Sequence, residues 1–81
     1  MIDKIALSEF EEAIIDTTNN IATVVLIDVG AVNITNENNI SVATLEESLE
    51  SFTMPINTGV YRLKNTAMSP VRILVFRQFI Y

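Results

Sequence analysis

The segment Val71–Phe79, VRILVFRQF, decides the fold class of this 81-residue chain. It is rich in Val, Ile and Phe, and its centre is apolar at both odd and even positions. Such residues favour the extended backbone, and a strand that is apolar on both faces is typically covered on both faces. The segment therefore predicts a central β-strand, or a strand that a neighbouring subunit covers.

Two further segments also favour strands. Ile21–Val32, IATVVLIDVGAV, is rich in β-branched residues and mostly apolar on both faces, which predicts a buried strand with a bulge or bend at Gly30. Val60–Lys64, VYRLK, alternates apolar and basic residues, so Tyr61 and Leu63 share one face. This alternation is typical of a strand with one face in the core and the other in water.

Residues 32–42, VNITNENNISV, predict a hairpin. A five-residue loop places Ile34 opposite Ile40, which keeps the apolar residues of both strands on one face. In the same register Val32 faces Val42.

Short helices compete with strands in two places. The pattern SEFE at Ser8–Glu11 fits a capping box, and it leaves a helix over Glu9–Asp16 or a strand at AIID as alternatives. Thr44 and Glu47 fit a second capping box, which predicts a helix of two turns within ATLEESLESF.

Together these segments predict a single, mainly β domain over residues 1–81. We expect a small antiparallel sandwich or open barrel of five to seven short strands, with one or two short helices possible.

The composition excludes several kinds of site. The chain has no Cys and no His, so it forms no disulfide and lacks the usual ligands of zinc, copper and haem. It also lacks the usual general base at neutral pH. We therefore expect a protein without cofactors and without enzymatic activity.

The sequence gives no sign of export or membrane insertion. The acidic start, MIDKIALSEFEE, does not fit a secretory signal, and the apolar stretch around Ile21–Val29 is far shorter than the roughly 20 residues of a membrane helix. We expect a protein made in the cytoplasm that does not contact membranes.

Asp28 and two asparagines occur in patterns that suggest a functional role, but each pattern also has an ordinary explanation. Asp28 ends the apolar run VVLID and is a possible metal ligand or general base, but a role at a turn is favoured. The glycosylation sequons at Asn33 and Asn39 have a function only in a secreted protein, so chance is favoured.

Charge divides the chain into two halves. Residues 1–50 hold all ten acids, whereas residues 51–81 hold no acid and four bases: Arg62, Lys64, Arg72 and Arg77. The halves meet within one fold or between subunits, and both alternatives are open. Four bases on a chain of net charge −5 make nucleic-acid binding unlikely.

The bases form a candidate interface together with three glutamates, Glu46, Glu47 and Glu50. If VYRLK pairs with VRILVFR, the four bases crowd together and require acids opposite them, from the same chain or another. Ordinary solubilising charge at strand edges is the alternative for the bases. For the glutamates the alternatives are a cation site, which lacks EF-hand spacing, and a solvated or ion-paired face.

The aromatic residues near the end of the chain are the remaining interface candidates. The composition is 49% hydrophobic, which for so short a chain predicts apolar surface buried between subunits. We assign Phe76 to the core, and Phe79 and Tyr81 to an interface.

GVYRLKN and SPVRILVFRQF are the most β-like stretches, and the whole chain is short, acidic and rich in Asn and Thr. In this general character it resembles small accessory proteins of phage virions, such as capsid-decoration proteins. The resemblance implies a structural protein that forms homo-oligomers, such as trimers, or attaches to a larger protein shell in the virion. The alternative is a small monomeric glycan- or peptide-binding module with a concave surface around Tyr61.

Overall fold

Eight strands make up the computed structural model, which describes residues 1–80. They are β1 (Ile2–Leu7), β2 (Glu12–Asp16), β3 (Asn20–Leu26), β4 (Val32–Thr35), β5 (Ser41–Leu45), β6 (Ser51–Met54), β7 (Val60–Asn65) and β8 (Val71–Phe79). Residues 1–80 contain no helix, and therefore none that could span a membrane. The antiparallel sandwich is confirmed, but with eight strands and without the short helices.

The strands form two antiparallel sheets of four. Sheet A has the order β1-β8-β3-β6 and sheet B has the order β2-β7-β4-β5. The chain passes from one sheet to the other at every connection except that between β4 and β5. Strands β1 and β2 touch along one side of the sandwich, and β5 and β6 touch along the other. The smallest extent of the molecule, 17 Å, fits two sheets stacked about 10 Å apart.

The core lies between the sheets and consists of the inward-facing residues of alternating strand positions. Its members are Leu7, Ile15, Ala22, Val24, Leu26, Val32, Ile34, Leu45, Met54, Tyr61, Leu63, Val71, Ile73 and Val75. Strand β8 pairs with both β1 and β3, so the prediction of a central strand is confirmed. In β7, Tyr61 and Leu63 point inward as predicted.

The first capping-box pattern forms a turn instead of a helix. The Glu11 carboxylate accepts a hydrogen bond from the Ser8 amide at 2.8 Å, as it would in a capping box. However, Phe10 has a positive φ of 60°, and the chain then extends into β2. The strand alternative is correct because the alternation of β2 buries Ile15 completely in the core.

The helix predicted after Thr44 is also wrong. Strand β5 continues to Leu45, which is buried, and residues 46–50 then turn into β6. Glu50 accepts hydrogen bonds from the amides of Glu46 and Glu47 at 3.0 and 2.9 Å, and Leu49 has a φ of 68°. We call residues 46–50 the acidic turn.

The predicted hairpin register is wrong. Val32 pairs with Leu45 and Ile34 pairs with Ala43, with a bulge after Ile34. The observed register buries Leu45 in the core, which removes more apolar surface from water than the predicted register would. It leaves Ile40 exposed in the loop.

The run Ile21–Val32 contains the bend that Gly30 indicated, but it is not a single continuous strand. Strand β3 ends at Leu26, the chain bends through residues 28–30, and β4 begins at Val32. A Cβ atom at Gly30 would lie 2.5 Å from Cγ1 of Val71, so this bend requires glycine for the close approach of β8.

Candidate functional site

The space between the two sheets is filled by apolar side chains. No pocket opens among residues 1–80, and no group of three acidic, His or Cys side chains lies close enough there to hold a metal ion. The acidic and basic side chains of the same residues are all exposed or half-buried. The interior therefore stabilises the fold and offers no reactive group to a ligand.

Asn65 is fully buried at one end of the sandwich and has a structural role. Its Nδ2 donates to the carbonyl oxygens of Leu7, Ser8 and Ser69 at 3.1, 3.2 and 2.9 Å, and its Oδ1 accepts from the Ala67 amide at 2.9 Å. This side chain joins two turns to β7. We did not predict it from the sequence, where it reads as an ordinary turn residue.

Thr17 has the corresponding role at the opposite end. Its Oγ1 donates to the Gly59 carbonyl at 2.7 Å and accepts from the amides of Thr58 and Gly59 at 3.1 and 3.0 Å. All buried side-chain nitrogen and oxygen atoms of residues 1–80 have a hydrogen-bond partner. Neither buried residue is left with an unused polar atom for chemistry.

The outer surface of sheet A carries neighbouring apolar residues flanked by polar ones. Two rows of paired residues cross its strands, in the order β1, β8, β3 and β6. They are Lys4–Leu74–Val25–Ser51 and Ile2–Phe76–Thr23–Thr53. Ile2 is 64% exposed and Phe76 is 38% exposed, and Ile21 lies on the same surface beside them. We call Ile2, Ile21, Val25, Leu74 and Phe76 the apolar face.

The outer surface of sheet B is mostly polar, and its apolar residues are Ile14 and Val42 on the two edge strands and the half-buried Val60 on β7. Asn33 donates to Oγ of Ser41 at 2.8 Å and to Oγ1 of Thr44 at 3.1 Å, which joins β4 to β5. Arg62 lies 3.8 Å from Glu12 across β7 and β2. This surface is suited to water.

The four predicted interface bases do not crowd together. Strand β7 belongs to sheet B and β8 belongs to sheet A, so the two strands are not neighbours. Arg62 and Lys64 therefore lie on the outer surface of one sheet, and Arg72 and Arg77 belong to the other. The expectation of a single basic cluster is wrong because it assumed that the two strands pair.

Arg72 and Asp28 form a two-pronged ion pair at the end of sheet A. Nε and Nη2 of Arg72 donate to the two carboxylate oxygens at 3.0 and 2.9 Å, and the Arg72 amide donates to Oδ2 at 3.0 Å. The hydrogen bonds from the Arg72 side chain and amide hold the pKa of Asp28 below its ordinary value. Asp28 thus fixes the bend that follows β3.

Arg77 connects the end of β8 to neighbouring elements. Its Nη1 donates to the Asp16 carbonyl and to Oδ1 of Asn20, both at 3.1 Å, and its Nε lies 3.6 Å from Asp3. Together with the pairs of Arg72 and Arg62, this contact makes three ion pairs among residues 1–80. Each joins the basic half of the chain to the acidic half of the same chain.

The three glutamates of the acidic turn form no ion pair within residues 1–80. The amides of Glu47 and Glu46 donate to the Glu50 carboxylate, and these hydrogen bonds lower the pKa of Glu50. The turn therefore presents negative charge beside the first residue of β6, Ser51.

The aromatic residues are placed differently from the prediction. Phe76 lies on the outer surface of sheet A, so its assignment to the core is wrong: at an even position of β8 it points away from Ile73 and Val75. Phe79 is 40% exposed at the end of β8, and Tyr81 lies outside the described residues. Tyr61 is buried and donates to Oγ1 of Thr58 at 2.9 Å, so it cannot line a concave binding surface.

The sequence comparisons give no family. No family model matches the chain. No curated protein matches its sequence either.

Solved structures match over nearly the whole chain. The Cnp3 cupin domain of Schizosaccharomyces pombe superposes with a TM-score of 0.78 at 18% identity, covering 96% of this chain and 54% of that chain. The fold is cupin-like. A de novo designed double-stranded β-helix gives a TM-score of 0.79 at 15% identity over 96% of this chain and 99% of the design.

A predicted oxalate decarboxylase from Thermotoga maritima also has this fold, with a TM-score of 0.79 at 8% identity over 99% of this chain and 66% of that chain. This chain spans about half of the Cnp3 domain and about two thirds of the Thermotoga protein. At these identities the similarity establishes the cupin-like fold alone.

The cupin-like fold corrects the resemblance drawn from the sequence. The chain was expected to resemble phage virion accessory proteins, but its structural neighbours are cupin domains and a designed double-stranded β-helix. The resemblance is wrong because short, acidic, Asn- and Thr-rich β chains share a composition without sharing a topology.

Proposed function

We propose that this cupin-like chain is a non-enzymatic structural or assembly protein that acts through protein–protein contacts. We further propose that it associates with copies of itself through the apolar face. The observation that carries the proposal is the exposure of Ile2 and Phe76 side by side on the outer surface of sheet A, next to the half-buried Leu74. Contiguous exposed apolar surface on a small protein is typical of an interaction site.

The energetics favour covering this surface. Full burial of a large apolar side chain contributes about 1.5–3 kcal/mol relative to full exposure, and Phe76 and Ile2 retain much of their surface for such burial. The outer surface of sheet B provides no comparable stripe, because its exposed Ile14 and Val42 lie on opposite edge strands and polar residues such as Arg62 and Asn33 occupy the two strands between them. The interior supports a non-enzymatic role, since apolar side chains fill it.

The mass of the protein in solution tests this proposal. Analytical ultracentrifugation of the wild-type chain should give a mass that rises above that of one chain as concentration increases. Phe76→Glu should stay monomeric because the new charge lies in the middle of the apolar face. Ile2→Glu is a second variant, and its position on an edge strand makes loss of folding less of a concern.

Thr35→Glu is the matched control, because Thr35 lies at an outward position of sheet B beside Arg62. It should associate as the wild type does. Circular dichroism and thermal unfolding should show that all four proteins are folded. A wild-type chain that remains monomeric at the highest attainable concentration would overturn the proposal, as would a folded Phe76→Glu variant that associates normally.

A further inference from the structure

We infer that two copies of the chain pack their apolar faces together about a two-fold axis parallel to the strands. In this arrangement Lys4 of one copy lies against Ser51 and the acidic turn of the other. The inference rests on the proposed self-association and adds the partner, the orientation and the charge contact that selects that orientation.

The row that crosses sheet A through Leu74 and Val25 is charged differently at its two ends. It begins with Lys4 on the edge strand β1 and ends with Ser51 on the opposite edge strand β6, directly after the acidic turn. Lys4 and the three glutamates take no part in the ion pairs of residues 1–80. These charges therefore remain available to a second molecule.

Two-fold symmetry allows two dimers in which the apolar faces pack together and the strands of both copies are aligned. The contact uses the same surface on both copies, so the two-fold axis lies in the plane of the interface. An axis perpendicular to the strands stacks β1 on β1 and brings the two Lys4 ammonium groups toward each other. An axis parallel to the strands stacks β1 on β6, and each Lys4 then faces the acidic turn of the partner. Because like charges repel and opposite charges attract, the second arrangement is favoured.

The central contacts of the favoured arrangement involve the apolar residues Leu74, Val25 and Phe76. Reversing the row places Leu74 of one copy over Val25 of the other, and the neighbouring row places Phe76 over Thr23. The two sheets stack as aligned sheets do in a β-sandwich, about 10 Å apart. A second copy thus supplies both the apolar cover and the opposite charges at the rim.

The size of the face fits a reversible dimer. Four strands about 4.8 Å apart, the longest of nine residues, give a surface of roughly 500 Å² on each copy. The total of about 1,000 Å² lies at the lower end of specific interfaces, so the dimer should dissociate on dilution. Each dimer contains two identical contacts of Lys4 with the acidic turn.

A charge exchange between Lys4 and Ser51 tests the orientation. Ser51 forms no side-chain hydrogen bond that the fold requires, and it lies on the outer surface. Ser51→Lys should raise the dissociation constant about 2- to 30-fold, because two exposed like-charge contacts replace neutral ones. Adding Lys4→Glu to Ser51→Lys should restore the wild-type dissociation constant, and 1 M salt should reduce the effect of Ser51→Lys through screening.

Thr53→Lys is the control, on the same strand and the same outer surface but opposite Ile2 of the partner in the inferred dimer. Because it also removes the hydrogen bond between Thr53 and Thr23, thermal unfolding is measured beside its association. Lys4→Glu should not restore its association. Equal rescue of Ser51→Lys and Thr53→Lys, or no rescue of either, would overturn the orientation while leaving the proposed self-association intact. Monomeric wild-type protein would instead overturn the proposed function and this inference with it.

Discussion

Sheet A and sheet B present the same kind of surface to the core and different surfaces to the outside. Inward-facing residues of β8 and β7, such as Ile73 and Leu63, are fully buried in both sheets. At the outward-facing positions, β8 of sheet A carries Leu74 and Phe76, whereas β7 of sheet B carries Arg62. Burial between the sheets thus explains the inner residues of both, but it does not explain the outer residues of sheet A.

This difference is visible in the periodicity of single strands. Strand β7 alternates apolar and basic residues, which is sufficient for a strand with one face in water. Strand β8 carries apolar residues on both faces although its own fold covers only one. A small sandwich can therefore carry a strand of the doubly buried type at its surface, and this is where we propose that a second copy packs.

The largest expected effect comes from removing one core residue in each sheet. Ile73→Ala in β8 and Leu63→Ala in β7 should each lower the free energy of unfolding by about 2–5 kcal/mol, because each leaves a cavity in a fully buried site. Chemical denaturation under monomeric conditions measures both. A loss confined to one of the two variants would contradict the equivalence of the inner faces.

A smaller effect is expected on the polar outer surface of sheet B. Asn33→Ala removes the hydrogen bonds to Ser41 and Thr44 and should lower the free energy of unfolding by about 1 kcal/mol. It should leave the dissociation constant of the proposed dimer unchanged. Altered association measured by ultracentrifugation would show that sheet B also takes part in the contact between copies.

The smallest effect is expected from Asp28→Asn at the end of sheet A. Hydrogen bonds from Arg72 lower the pKa of Asp28 in the folded state, so the wild type gains stability at neutral pH that is lost as the pH falls through this lowered value. The variant should be less stable at pH 7, and the difference should close below about pH 4. Thermal unfolding across this pH range measures it, and a constant difference at every pH would argue against the ion pair.

Much of the sandwich was predictable from alternation and composition. The patterns of VYRLK and VRILVFRQF gave the correct orientation for Tyr61 and Leu63 and the correct central position for β8. The capping-box patterns misled because Ser8 and Glu11 form their hydrogen bond in a turn, whereas Thr44 lies in β5 and its hydroxyl accepts from Asn33. Local patterns of this kind do not reveal which residue will be drawn into a core formed by distant strands.

The position of the apolar face was less predictable from the sequence. The sequence indicated excess apolar residues, but their position depended on which sheet β7 and β8 join. Placing the two strands together gave a false basic cluster, and Phe76 was separately assigned to the core although it faces outward. The roles of Asn65 and Thr17 were missed because their partners lie in turns that only the assembled sandwich brings close.

The pairing of β1 with β8 also has a consequence for how this protein is made. Ile2 pairs with Phe76, so β1 can join sheet A only after β8 has formed. Contacts between residues so far apart in the chain slow folding, because the chain loses conformational entropy on closing the loop before the contact provides any stabilisation. Strand β1 therefore keeps its hydrogen-bonding groups unpaired until β8 has formed, which makes it an edge that can pair wrongly in the meantime.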